Sequence, residues 1–351
     1  LNKHQREYLK MIFIEAKWLY NYIISQDVFK FDNKTKKILI KHENEFVEKE
    51  LKFLTFSMRQ EIRKNIITSI KGLSTTKRKG KKVGKLKFKS KCNCIPFVSG
   101  VNGFTVNYKG IKPIGCKKRF YVHGLKQLQN ADEIANAFLI QKPSGFYFKI
   151  VTYSHKKEEE KQSKEIVGLD FGITTPITFS NKVKINTTIQ LCKQIRRSHK
   201  NLSRKKKRSN NYKKQQSKLA KLYERQSNQK KDIRNKIVSY LKNNFKLIAV
   251  QDENIKNWHS GWYGKQIQQS AIGGIIAGIK KIPHTLVVNR WFPSTQLCPR
   301  CGTLNKHSLD ERIYFCECRY SEDRDVHSAR NILREVIKQT EKNIRGLPGV
   351  F

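Results

Sequence analysis

From Leu9 to Val28, apolar residues recur at helical spacing: Leu9, Ile12, Phe13, Ala16, Leu19, Tyr20, Ile23 and Ile24. A second stripe of the same period (Leu51, Leu54, Met58, Ile62, Ile66, Ile70) covers about 47–72. Together they predict a mostly helical unit over residues 1–74. The period then drops to two. Lys85-Leu-Lys-Phe-Lys89 alternates, and Phe104–Tyr108, Phe120–Val122 and Phe146–Ile150 follow between Gly and Asn turns, so 75–154 is expected to be β-rich. The run 155–165 has no apolar residue and is expected to be a linker. Ile166–Leu169 is a short apolar strand ending at Asp170. A long polar helix is expected over about 188–243, on a sparse seam of Leu202, Leu219, Leu222, Ile233, Ile237 and Leu241. Phe245–Val250 gives another strand, 264–281 a helix and Thr285–Trp291 a third strand. No internal repeat is visible. Strands alternating with helices in the second half predict an α/β core within an α+β multidomain chain.

Charge changes the picture from fold to partner. The 351 residues carry 73 Lys+Arg against 28 Asp+Glu, a net charge of +45, which repels itself in a compact state and calls for a polyanion. Residues 77–91 hold nine basic residues, and 193–214 hold eleven, with no acid in either run. Nucleic acid is the expected partner, since each neutralised phosphate releases counterions. Such runs confer affinity and carry no sequence choice. The candidate contacts are Lys85, Lys87, Lys89 and Lys91 in the first run, and Arg196, Arg197, Arg204, Lys205, Lys206, Lys207 and Arg208 in the second. Trp258 and Trp262 could stack on bases or serve as packing. No apolar run approaches a membrane span, and the first residues lack the apolar core of a secretory signal, so the expectation is a protein neither secreted nor in a membrane, and in the cytoplasm or nucleoid if the host is a prokaryote. The chain starts at Leu1 and not at Met, which leaves an N-terminal piece open.

Four of the eight cysteines fall within 21 residues: Cys298 and Cys301, then Cys316 and Cys318 fourteen residues on. In a basic chain without a signal, a disulfide framework is not expected. Two thiolates from each of two tight turns suit one structural Zn²⁺, with His307 as a substitute ligand. Cys92 and Cys94 are expected to be packing or surface residues. Three acids stand out by position: Asp170 ends a strand, Glu253 lies just beyond another, and Asp325 opens the helical pattern after the cysteines. Any one of them alone reads as a solvated acid or a helix cap. Brought together, they are the hard oxygen ligands that two Mg²⁺ ions need for phosphodiester cleavage.

The segment 166–174 (IVGLDFGIT) resembles the first motif of RuvC-type nucleases. Leu202–Lys213, followed by Lys218–Leu222, is similar to the basic helix of TnpB proteins, the OrfB products of insertion sequences. Residues 290–302 and 323–332 resemble that family's zinc knuckle and third RuvC motif. The resemblance is close over about 165–335 and looser before it, through Trp18–Asn21 and the order of parts. It implies an RNA-guided DNA endonuclease related to the ancestors of type V CRISPR effectors. The parts would be a helical recognition lobe (1–74), a β-barrel-like, oligonucleotide-binding wedge (75–154), an RNase H-like RuvC core with motifs I and II (166–297), an inserted zinc ribbon (298–318), and motif III with the tail (319–351). Guide RNA from the transposon end and double-stranded target DNA would be the partners, with a target-adjacent motif read on the DNA.

Carried over by position, Asp170 and Asp325 match the first and third catalytic acids. The second departs from the family's apolar-Glu-Asp-Leu, because this chain has Val250-Gln-Asp-Glu-Asn254. Gln251 stands at the Glu position, and extended backbone puts Glu253 on its side and Asp252 on the other, so Glu253 takes the role. The Cys316-x-Cys318 spacing also departs, and the usual wedge strand before the first helix is missing. Gln251 keeps open a nuclease-inactive, guide-directed repressor. A cut-and-paste transposase is disfavoured by the order Asp, Glu, Asp.

Overall fold

A computed structural model of the chain describes residues 1–42, 45–98, 103–114, 116, 119–155, 165–187, 189, 192–308 and 310–345. The expected linker lies outside them from 156 to 164, as does the tail after 345. The chain divides into two units, Leu1–Glu158 and Glu159–Phe351.

In the first unit, α1 (Lys3–Ser25) starts at a capping box, where the Asn2 side chain accepts from the Gln5 N–H and the Gln5 side chain accepts from the Asn2 N–H. Its apolar stripe is buried as expected. The mostly helical unit expected over 1–74 also holds a hairpin, β1 (Lys37–His42) and β2 (Glu45–Glu50), which precedes α2 (Phe56–Arg78). Its Leu39 and Phe46 are exposed, so the pattern carried little trace of it. Glu15, 1% exposed on the α1 stripe, accepts the backbone N–H groups of Lys52, Phe53 and Leu54 at 2.8–2.9 Å. Buried Arg59 donates to the carbonyls of Asn33 and Leu54. Burial raises the Glu15 carboxyl, while the three N–H groups and Arg59 pull it back. Glu15→Ala leaves three N–H groups without an acceptor and is expected to cost about 3 kcal/mol in urea unfolding of this unit. A change below 1 kcal/mol would remove Glu15 from this role.

In the β-rich part, β6 (Glu133–Lys142) lies between β3 (Cys94–Phe97) and β7 (Gly145–Tyr153) and is antiparallel to both. A separate hairpin joins β4 (Phe104–Asn107) to β5 (Gly110–Pro113), and Phe120 bridges Ile111. The expected strand at 85–89 does not form. It alternates but has no partner strand among the described residues, and the Asn21 side chain pairs the N–H and C=O of Lys89.

The second unit holds a five-stranded sheet in the order β10 (Lys184–Ile185), β9 (Ile177–Phe179), β8 (Ile166–Asp170), β11 (Leu247–Gln251), β12 (Thr285–Val288). β8, β11 and β12 are parallel, and β9 runs against β8. The single helix expected over 188–243 is instead two, α3 (Cys192–Ser203) and α4 (Asn210–Asn244). Five consecutive cations separate them. Arg208 turns the chain at φ 67°, and Ser209 caps α4 by accepting from the Tyr212 N–H. Gln215 then donates back to Ser198, and His199 meets the Tyr223 hydroxyl at 2.6 Å. The helix expected over 264–281 also breaks. α5 (Ile255–Ser260) precedes it, and α6 (Gly264–Gln269) and α7 (Ile272–Ile279) part at extended Ser270.

Alternation sorts the two sheet faces. Val167, Leu169, Ile248 and Val250 pack with Ile237, Leu241 and the isoleucines of α7. Ala249 and Val288 pack with Ile332 and Val336 of α8 (Arg324–Arg345). Gly168 lets α8 lie on β8, since a Cβ there would fall 2.0 Å from the Ala329 carbonyl oxygen. Between β12 and α8 lie β13 (Ile313–Phe315) and β14 (Ser321–Asp323), an antiparallel pair.

Candidate active site and metal centre

Asp170 shares its parity with Gly168, so the end of β8 offers its carboxyl to the α8 face. There Ser328 donates to Asp170 Oδ1 at 2.8 Å. Burial is the largest influence on Asp170. Ser328 and Arg324 work against it, the charges of Asp325 and Glu253 add to it, and the carboxyl is pushed up to about 7. Asp170 therefore feels the charges of the other two sequence-selected acids, from just beyond β11 and from the start of α8. Glu253 is also raised, first by burial and then by Asp252. Asp323 caps α8, accepting from the Val326 N–H, and leaves Asp325 in the first turn. Lys184 bonds Asp323 at 2.8 Å and stands 3.9 Å from Asp325. Among the described residues, the cysteines are the one set of three or more such side chains gathered closely enough to grip an ion; the carboxylates meet as neighbouring charges and not as a closed cage.

Asp252 sits in an ion-pair cluster. It pairs with Lys280 at 2.5 Å and with Arg290, which hold its carboxyl below the usual range. Gln251, 7% exposed, faces the α8 side. Its Nε2 reaches the carbonyls of Asn289, Arg290 and Phe292 at 2.7–3.2 Å. Its Oε1 accepts from Ser294 Oγ at 2.8 Å, and Ser294 Oγ lies 3.0 Å from Ser328 Oγ. Asn331 donates to the carbonyls of Ser294 and Leu297. A buried chain of side chains thus runs from Gln251 to Asp170. Sequence reasoning missed Ser294, Ser328 and Asn331; helical spacing of Ser328 three residues after Asp325 was the available signal.

The four cysteines converge. Cys298 and Cys318 sulfurs lie 3.6 Å apart, Cys301 and Cys316 3.5 Å, and all four are within 4.8 Å. Four thiolates at ~2.3 Å around one tetrahedral ion sit about 3.8 Å apart, so the set fits zinc. Gly302 closes the first knuckle at φ 77°. The shorter Cys316-x-Cys318 knuckle closes with Arg319 at φ 64°, its N–H on the Cys316 carbonyl. The Thr303 hydroxyl, 3.3 Å from Cys301 Sγ, and its backbone N–H bring that thiol down to about 6. His307 stands outside the set, paired with Glu311 at 2.8 Å.

Lys85, Lys87, Lys89 and Lys91 are exposed, and Lys89 Nζ lies 3.8 Å from the Tyr20 ring centroid. Arg196 and Arg197 project from α3 opposite buried Ile195 and Ser198, and Arg204–Arg208 line its exposed turn into α4. Trp258 packs against the core, while Trp262 is fully exposed. No described helix is long and apolar enough to cross a membrane.

Residues 149–260 match the OrfB_IS605 family, described as "Probable transposase", and 281–332 match the "Cas12f1-like, TNB domain" family. A Streptomyces pristinaespiralis protein named "Putative RNA-guided DNA endonuclease" is 30% identical over 177 residues, 48% of this chain and 44% of that protein. Escherichia coli K12 "Putative RNA-guided DNA endonuclease InsQ" is 25% identical over 228 residues, 57% of this chain and 56% of that one. The chain spans about half the length of these curated relatives. A cryo-EM structure of a Cas12f1–sgRNA–target DNA complex aligns with TM-score 0.56 and 14% identity, covering 94% of this chain and 83% of that one. The fold is therefore Cas12f1-like. Over these matched segments the chain is similar to the TnpB (OrfB) family.

Proposed function

We propose that this chain is an RNA-guided DNA endonuclease whose RuvC-type site is Asp170, Glu253 and Asp325. The observation that carries the reading is that Glu253, just beyond β11, and Asp325, at the start of α8, both raise the carboxyl of Asp170 at the end of β8. Crowded carboxylates in a chain of charge +45 fit cations bridging to phosphate. Two Mg²⁺ ions held there would supply an activated water and stabilise the departing 3′ oxygen. Ser328 holds one oxygen of Asp170 and leaves the other for an ion. Asp252, held by Lys280 and Arg290, takes no part. The sheet flanked by helices supports an RNase H-like core, the antiparallel strands of the first unit an oligonucleotide-binding wedge, and α1 and α2 a recognition lobe.

The exposed cations of 85–91 and 196–208 would hold guide RNA and heteroduplex backbone, while base pairing reads the target and the protein reads an adjacent motif. The RNA-guided names of the two relatives support a guide RNA, which would come from the transposon end. Gln251's place in a buried network gives it a packing role, which supports the active reading over a nuclease-inactive repressor. The experiment is to sequence the RNA that co-purifies, build a target from it, and assay cleavage with and without Mg²⁺. Tight target binding with no scission would return the repressor.

Cys298, Cys301, Cys316 and Cys318 would hold one structural zinc. Elemental analysis should find one zinc per chain, lost with Cys316→Ala together with several degrees of Tm. A folded parent protein free of zinc would overturn the assignment.

A further inference from the structure

The second unit contains a cavity of about 300 Å³ between α4, α5 and the start of α7, with no connection to the cysteines or the acids in its lining. Lys230, Lys231 and Arg234 of α4 and His259 of α5 line one side. Ile255, Ile267 and Ala271 line another, and no acidic residue lines the cavity. Cations beside an apolar wall suit a ligand with a phosphate and a flat ring. The volume is at the low end for ligand pockets, enough for one nucleotide and not for a duplex.

The glycines of α7 point the same way. Gly278 has a packing reason, because a Cβ there would fall 2.8 Å from Val238 Cγ2. Gly273 and Gly274 have none. A Cβ would meet only Ile255 Cγ2 at 3.4 Å in the first and Arg234 Cδ at 3.7 Å in the second, both ordinary contacts. Two successive glycines nevertheless weaken an eight-residue helix relative to alanine. Both line the cavity, where bare backbone admits close approach of a ligand.

We infer that this cavity seats one nucleotide of a bound single strand, its phosphate toward Lys231 and Arg234 and its ring against Ile255 and the Gly273–Gly274 backbone. The inference rests on the nucleic-acid reading above and adds a discrete site to it. The test uses the full chain and a short oligouridylate carrying 4-thiouridine, cross-linked by ultraviolet light, with adducts mapped by peptide mass spectrometry. Adducts are expected within 255–280. The pair Gly273→Ala/Gly274→Ala, which leaves charge unchanged and keeps Tm at or above the parent's, should lower that yield roughly tenfold. Arg234→Gln should do the same, whereas Lys236→Gln, whose lysine pairs with Asp232, should not. Adducts elsewhere should persist in every variant. Full yield in the alanine pair, or adducts elsewhere but none within 255–280 of the parent, overturns the site. A parent that forms no adduct anywhere overturns the nucleic-acid reading and this inference with it.

Discussion

Asp170→Asn should cut target DNA roughly a thousandfold more slowly than the parent, an effect of about 4 kcal/mol on the barrier, and should fold at least as stably. The two results have one cause. Asn keeps an oxygen for the Ser328 hydroxyl but carries no charge to hold a cation. In the parent, burial and the charges of Asp325 and Glu253 hold the Asp170 carboxyl at about 7, against an ordinary 3.8. A raised folded value means that this carboxyl's contribution to stability is present below pH 3.8 and is lost as pH rises through 7. Without divalent ions at pH 8, Asn should therefore gain about 2 kcal/mol over the parent, after discounting for partial exposure. The gain should shrink toward pH 4, and Mg²⁺ should narrow it at pH 8 by stabilising the parent alone. Thermal melts across that window and a single-turnover cleavage assay measure both arms. Cleavage at the parent's rate would remove Asp170 from the site.

Gln251→Glu tests the departure at the second motif. Restoring the family's residue should fail. Three carbonyls, from Asn289, Arg290 and Phe292, converge on Gln251 Nε2. A carboxylate oxygen in that place faces three acceptors with no proton to offer. Protonating it restores at most one of the bonds. The expected cost is about 4 kcal/mol in the second unit, with loss of cleavage and no new metal affinity. Gln251→Met, similar in volume and uncharged, should cost less than Glu. If Gln251→Glu melts like the parent and cuts faster, residue 251 is a ligand and Glu253 is not.

Legibility in the sequence followed the range of the forces involved. The α1 stripe and the apolar strands leading to Asp170 and toward Gln251 follow from local periodicity. The cysteine set was legible because two short turns carry all four ligands. The break at 204–209 was not: it contains no Gly or Pro, and contacts between α3 and α4, such as His199 with Tyr223, accompany it. The alternation at 85–89 misled because a strand needs a partner edge, which a period of two does not guarantee. The network from Gln251 through Ser294 and Ser328 to Asp170 joins residues 34 to 158 positions apart.

The sequence by itself determined the polyanion-seeking charge, two apolar strands with an acid at or just beyond the end, the cluster of four cysteines and the family resemblance. Each is a property of composition or of neighbours a few positions apart. Only the tertiary structure decided that Gln251 is a buried hydrogen-bond donor, that Ser328 holds Asp170, and that two glycines of α7 border a cationic cavity. Burial and hydrogen-bond partnership depend on which distant segments meet, and no local pattern encodes that.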